Sequence, residues 1–153
     1  MTLGAEESEI AEFLAQGHIF TLAVARNNEA YCASCFYVFD PRGPDFVFLT
    51  DPKTRHGREM LANPRAAGTV HRDTRDPDQI QGVQITGVVR ELGEEEESLR
   101  DMYLRAFPFA RGKESTFWAL RADFLKMTDN RISFGYKRIW RAPASGADDG
   151  GRP

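Results

Sequence analysis

The sequence predicts a mainly β fold with helices (α+β), a small antiparallel barrel or curled sheet carrying three helices. Three observations predict it. Five to seven segments rich in β-branched and aromatic residues are set apart by turn residues. Three other segments carry a helix start or stop signal, two of them with an apolar stripe at helical spacing. Within the 153 residues there is no repeat and no composition break until the tail. This fits one domain over 1–142 and a small, polar tail over 143–153 that is expected to be disordered.

The elements follow in order. Ser8 is an N-cap for a helix to about Gln16, with Ile10, Phe13 and Leu14 on one face and Gly17 after its end. Ile19 to Ala25 is a strand and Arg26 to Glu29 a turn. Ala30 to Phe39 is a second strand. After the proline-rich turn 40–44, Phe46 to Thr50 is a third, and the short turns predict an antiparallel meander. A short helix spans about Thr54 to Ala62 and stops at Asn63-Pro64, and Ala66 to His71 is a strand. Arg72 to Gln79 is a polar loop. Gln81 to Leu92 alternates as a strand, with Gly82 and Gly87 marking bulges or close backbone approach. Glu94 to Glu97 opens a helix to about Phe107, where acids suit the positive end. Segment 115–128 fits helical spacing and alternation equally well, and periodicity does not arbitrate. Asp129-Asn130 is a turn, followed by short strands at Ile132 to Phe134 and Arg138 to Arg141.

Composition narrows the function classes. A hydrophobic fraction of 41% with 28% charged residues is that of an ordinary globular domain. A net charge of −3 lacks the basic footprint that duplex nucleic acid requires, so nucleic acid is not an expected partner. No apolar run reaches the roughly 20 residues of a membrane span, and the first residues are acidic, unlike a secretory signal. The expected place is the cytoplasm, away from membranes. Cys32 and Cys35 stand three apart on a strand and so face opposite sides; with His18, His56 and His71 scattered, no metal site is expected.

The charges at 53–58 run against helix electrostatics. Lys53, Arg55, His56 and Arg58 crowd a helix start, the end that favours acids, and this arrangement calls for an anion. A phosphate is the leading choice; single-stranded nucleic acid and a ligand-free surface stay open. Arg55 can grip phosphate in a bidentate manner and Thr54 can donate its hydroxyl. There is no P-loop or dinucleotide glycine spacing. Ser34, Ser115 and Ser133 lack the context of a nucleophile elbow and no catalytic residue is assigned, so a bound cofactor is expected to carry any chemistry.

These residues carry a resemblance. The run Phe48-Leu49-Thr50, Lys53-Thr54-Arg55-His56 and Asn63-Pro64-Arg65 resembles the FMN-binding split β-barrel superfamily typified by pyridoxamine 5′-phosphate oxidase. The phrases CFYVFD (35–40), TRH (54–56), GVQITG (82–87), TDN (128–130) and FGYKRIW (134–140) resemble the YhbP-like group of uncharacterised bacterial proteins within it. The resemblance implies a split antiparallel barrel, segment 115–128 as a strand, and a homodimer with FMN sites at the subunit interface. It implies that Ser34, Cys35, Phe36 and Tyr37 lie along the flavin ring, that Leu49 and Thr50 touch the flavin, and that Thr54, Arg55 and His56 hold its phosphate. Gln84, with Gln81 competing, and Trp140 are further expected contacts. His56 stands where the oxidases have lysine, so FMN retention is expected to depend on pH; a roughly tenfold or greater loss of affinity between about pH 6 and 8 would mark this, and no change would mean that Arg55, Thr54 and the helix end suffice. The implied function is an FMN flavoprotein, an NAD(P)H-linked oxidoreductase of unnamed acceptor. The alternative is a non-catalytic carrier or sensor of flavin, haem or the deazaflavin F420, with one of the three histidines as a haem ligand. The substrate-binding Arg and His pattern of the oxidases is absent, which argues against pyridoxamine phosphate as substrate.

Overall fold

The computed structural model describes residues 2–144; the expectation of disorder over 145–153 lies outside the described residues. In chain order the elements are α1 (Ser8–Gln16), β1 (Ile19–Arg26), β2 (Glu29–Phe36), β3 (Val38–Asp40), β4 (Asp45–Thr50), α2 (Arg55–Ala62), β5 (Arg65–His71), β6 (Gln81–Glu91), α3 (Glu97–Ala106), β7 (Thr116–Asp129) and β8 (Lys137–Arg141). All strand pairs are antiparallel, in the order β2-β1-β5-β6-β7-β4-β3, with β8 pairing the far half of β7.

The sheet is a curled half-barrel. β2 and β3 lie at opposite ends of the strand order, yet only Tyr37 separates them in the chain. The expected single strand 30–39 is therefore two, and the simple meander becomes two hairpins at the two ends of the sheet. Tyr37 points inward: its hydroxyl donates to the Leu14 carbonyl of α1 at 2.7 Å, and its ring packs against Phe20 and Phe46. Phe20, Leu22, Phe46, Phe48, Leu120 and Leu125 fill the interior with Ile10 and Leu14 of α1. A second apolar layer outside the barrel joins Val47 and Ala119 to Leu99 and Tyr103 of α3.

Segment 116–129 is a strand. Leu120 faces the interior and Ala119 the α3 layer, and both are fully buried, so neither face shows polar alternation. β6 shifts register between Thr86 and Gly87 opposite β7, and there a side chain at 87 would collide with the Arg121 carbonyl. The expected strand at 132–134 is instead a turn. Asp129 accepts from the Arg131 backbone and guanidinium, Asn130 accepts from Gly135 N–H at 2.9 Å, and Gly135 has φ +80°. That side-chain bonding reverses the chain within six residues and leaves Ile132 and Phe134 exposed.

An ion network ties the layers together. Asp45, 2% exposed, accepts from Arg121 at 2.8 Å twice and from Arg90 at 3.0 and 3.3 Å, and Arg90 also holds Glu96 before α3. No described helix is long and apolar enough to cross a membrane.

Candidate anion site at the start of the second helix

The Asp51-Pro52 turn redirects the chain from β4 into α2. Asp51 Oδ1 accepts from the Lys53 backbone, and Thr54 is the N-cap. The Thr54 hydroxyl donates to the Asp51 carbonyl at 2.7 Å and accepts from Gly57 N–H at 3.1 Å. It is thus committed to the turn and the cap rather than to a ligand. Gly57 is required here, because a Cβ would stand 2.6 Å from the Asp51 carbonyl oxygen. The N–H groups of Arg55 and His56 head the helix, where no intrahelical acceptor exists. At the other end Asn63 donates to the Ala25 carbonyl at 2.9 Å and accepts from Arg65 N–H, which docks α2 beside the β1–β2 hairpin.

That hairpin turns through Asn27 and Asn28, both at positive φ, and so pairs Arg26 with Glu29 next to the helix start. Between them is a cavity of about 280 Å³ lined by Arg26, Asn27, Glu29, Arg55, Arg58 and Glu59. Three guanidiniums face two carboxylates there. Arg55 Nε donates to Glu59 Oε2 at 2.8 Å, its guanidinium carbon lies 4.1 Å from the centre of the Tyr31 ring, and a terminal nitrogen stands 3.8 Å from Glu29. Arg58 is braced on the Lys53 carbonyl at 2.5 Å. Every lining residue is polar or charged, and the donors fit a phosphate monoester better than an aromatic ring.

His56 does not join this cavity. Its Nε2 lies 3.2 Å from the Thr50 hydroxyl, under the end of β4. Burial lowers the His56 pKa below its ordinary value of 6.5, which keeps the ring neutral near pH 7. The expected lysine substitute is thus a neutral strut, and the physical basis for a tenfold change between pH 6 and 8 is removed. Thr50 is buried; its carbonyl accepts from Trp118 Nε1 at 3.0 Å. Burial pushes the Cys35 thiol up to about 11, against the opposing hydrogen bond with Thr50, so it remains protonated. Cys32 is exposed and Cys35 buried, on opposite faces of β2.

The remaining expected contacts divide. Ser34 and Phe36 are exposed on β2, and Phe36 sits 5.0 Å from Phe107 and 5.9 Å from Phe109 between ring centres. Leu49 packs into the α3 layer. The Tyr37 and Trp140 side chains are core, closing the half-barrel and backing Leu125 respectively. Gln84 is exposed on β6 in a separate groove with His71 and Arg72, while Gln81 is buried against Asp129. Sequence reasoning missed Arg26, Tyr31 and Glu59. The four-residue spacing of Arg55 and Glu59 was a usable signal for the last; the other two come from the hairpin pairing. Among the described residues no cluster of His, Cys, Asp and Glu is arranged to hold a metal.

Comparison with known proteins places this arrangement. Residues 7–127 match the family model described as pyridoxamine 5′-phosphate oxidase. A UPF0306 protein of Photorhabdus laumondii is 40% identical over 133 residues, covering 86% of this chain and 93% of that protein. The UPF0306 protein YhbP of Salmonella paratyphi A is 41% identical over 132 residues, covering 86% and 90%. Among solved structures, a haem-binding protein from Mycobacterium smegmatis superposes with TM-score 0.76 at 19% identity, over 92% of this chain and 60% of that one. An FAD-binding protein from Mesorhizobium loti gives 0.64 at 18%, over 82% and 94%. At these identities the likeness is one of fold. The family match and the 40% relatives say more: the chain belongs to the UPF0306, YhbP-like group of the pyridoxamine 5′-phosphate oxidase family of split β-barrels.

Proposed function

We propose that the chain is an FMN-binding flavoprotein that works as a homodimer and exchanges electrons with NAD(P)H. The observation that carries this reading is the cavity beside the start of α2, where Arg26, Arg55 and Arg58 line a space large enough for a phosphate. The β2 strand supports the placing of the ring. From Ala30 to Phe36 it has no charged residue, and most of it is exposed. Phe36 and Phe109, both about half exposed, extend that surface, which a second subunit and a flavin ring would cover.

Bound FMN supplies hydride chemistry. This chain's residues bind and orient. Arg55, Arg58 and the helix start fix the phosphate. The β2 backbone near Ser34 bounds the ring, and the Phe36–Phe107–Phe109 cluster shields it from water. The test is the visible spectrum of the purified full chain, with FMN titration and addition of NADH or NADPH under anaerobic conditions. A yellow protein that bleaches is expected. Arg55→Ala is expected to weaken FMN binding by about 1.5–3 kcal/mol, the scale of a charge-assisted hydrogen bond. A colourless protein that ignores added FMN, or unchanged affinity in the variant, refutes the reading.

One observation favours a second reading, haem binding. His71 and Arg72 line a groove of about 390 Å³ with Ile80 and Val83. Its mark would be a Soret band on haem titration that is lost in His71→Ala.

A further inference from the structure

We propose that Glu59 and Tyr31 are positioning residues that hold the Arg55 guanidinium in the orientation that reads a phosphate, although neither offers the ligand a cation. This deepens the flavin-phosphate reading and rests on it. A guanidinium has five N–H donors in one plane. Glu59 takes the Nε–H at 2.8 Å and Tyr31 lies against one face at 4.1 Å. Those two contacts leave the terminal nitrogens uncommitted apart from the long Glu29 approach, in a cavity that Arg58 and Arg26 also line. Glu29, whose side chain is 76% exposed, stands 3.8 Å from one of those nitrogens and can swing away when an anion arrives.

The burial of Glu59 is what sets this pair apart from an ordinary helix-surface ion pair. Its side chain is only 8% exposed and its partner Arg55 47%. Burying a carboxylate is costly, and an apolar side chain of that size would stabilise the same position better. A carboxylate retained there has an orienting task. Tyr31 comes from a different element, β2, and its ring lies under the Arg55 guanidinium carbon at 4.1 Å. Two restraints from two elements limit how the group can turn, and a bidentate phosphate contact requires a group so held.

Positioning and simple electrostatics predict opposite signs. Glu59 is an anion beside a phosphate site. If its charge were all that mattered, removing it would raise affinity for a phosphate. The experiment uses the full chain and two probes, FMN and riboflavin, which differ by the phosphate, titrated by flavin fluorescence. The readout is the ratio of the two affinities. Wild type is expected to prefer FMN by about tenfold or more. Glu59→Met is expected to cut that preference by about fivefold or more with riboflavin affinity unchanged, and Glu59→Gln, which keeps the acceptor oxygen, to restore most of it. Tyr31→Leu is expected to behave like Glu59→Met, and Tyr31→Phe like wild type. A raised or unchanged preference in Glu59→Met overturns the proposal. If that variant fails to fold, Tyr31→Leu decides, and an unchanged preference there overturns it. Equal loss of both probes marks a merely structural role and also overturns it. Riboflavin binding as tightly as FMN in wild type would instead remove the phosphate reading on which the proposal stands.

Discussion

Asp45→Asn is expected to destabilise the protein by about 2–4 kcal/mol. The wild-type carboxylate accepts four hydrogen bonds from two guanidiniums, and its side chain is 3% exposed. An amide keeps one acceptor and turns a donor towards two cations. Breaking a buried ion pair from one side costs about 3–5 kcal/mol. The arginines are 32% and 46% exposed, so water recovers part of that and the range is scaled down to about 2–4 kcal/mol. Urea unfolding at pH 7 reads it. With a slope of about 2 kcal/mol per molar, the midpoint falls by about 1–2 M. The acid side adds a check of sign. Burial pushes the Asp45 carboxyl up, but hydrogen bonds from Arg121 and Arg90 outweigh it and hold it below the ordinary 3.8. The unfolded chain therefore takes up this proton first. The contribution is whole above the ordinary value and disappears as pH falls through the folded one. The gap between wild type and variant should close on acidification below about pH 4. A midpoint shift under about 0.3 M at pH 7, or a gap that widens in acid, would refute the reasoning.

Gly57→Ala brings a Cβ within 2.6 Å of the Asp51 carbonyl, so the start of α2 has to move; a loss of about 1–3 kcal/mol in thermal unfolding is expected, with FMN affinity falling alongside it. For His56, whose pKa burial lowers, FMN affinity at fixed phosphate charge should change less than about twofold between pH 7 and 8, and a tenfold change in fluorescence titration would put the imidazole back at the phosphate. Its folded pKa is depressed, so it costs stability as pH falls below 6.5, a loss that His56→Gln should remove.

Elements whose fate is local were legible. α1 runs from Ser8 to Gln16 as its apolar stripe predicts, but Ser8 is its first residue and not the expected N-cap, which is Glu7 with no side-chain bond; the Asn63-Pro64 stop ends α2 as expected. Tertiary structure decided the rest. β7 could not be told from a helix because the barrel interior and the α3 layer bury both of its faces around Trp118 to Leu120. The break at Tyr37 lies inside an unbroken aromatic run, and it is imposed by the curl of the sheet. In the candidate site, charge placement pointed to the helix start beside which the arginine-lined cavity lies. It could not reveal that Thr54 is consumed by the cap, or that His56 turns to Thr50, because both follow from contacts with the preceding strand and turn.

The strand order has a consequence for the nascent chain. β4, with Phe46, Val47 and Phe48 fully buried in the finished fold, pairs along one side with β7, which begins only at Thr116. β5 likewise waits for β6. The amino-terminal half therefore leaves the ribosome as a β2-β1-β5 unit and a β3–β4 hairpin with no strand pairing between them, and the later β6–β7 pair joins them from the middle. Such distant pairings fold slowly and expose apolar edges while they wait. Synthesis stalled before β7 should yield a chain that binds chaperones, and release of β7 should end that dependence in a single cooperative step.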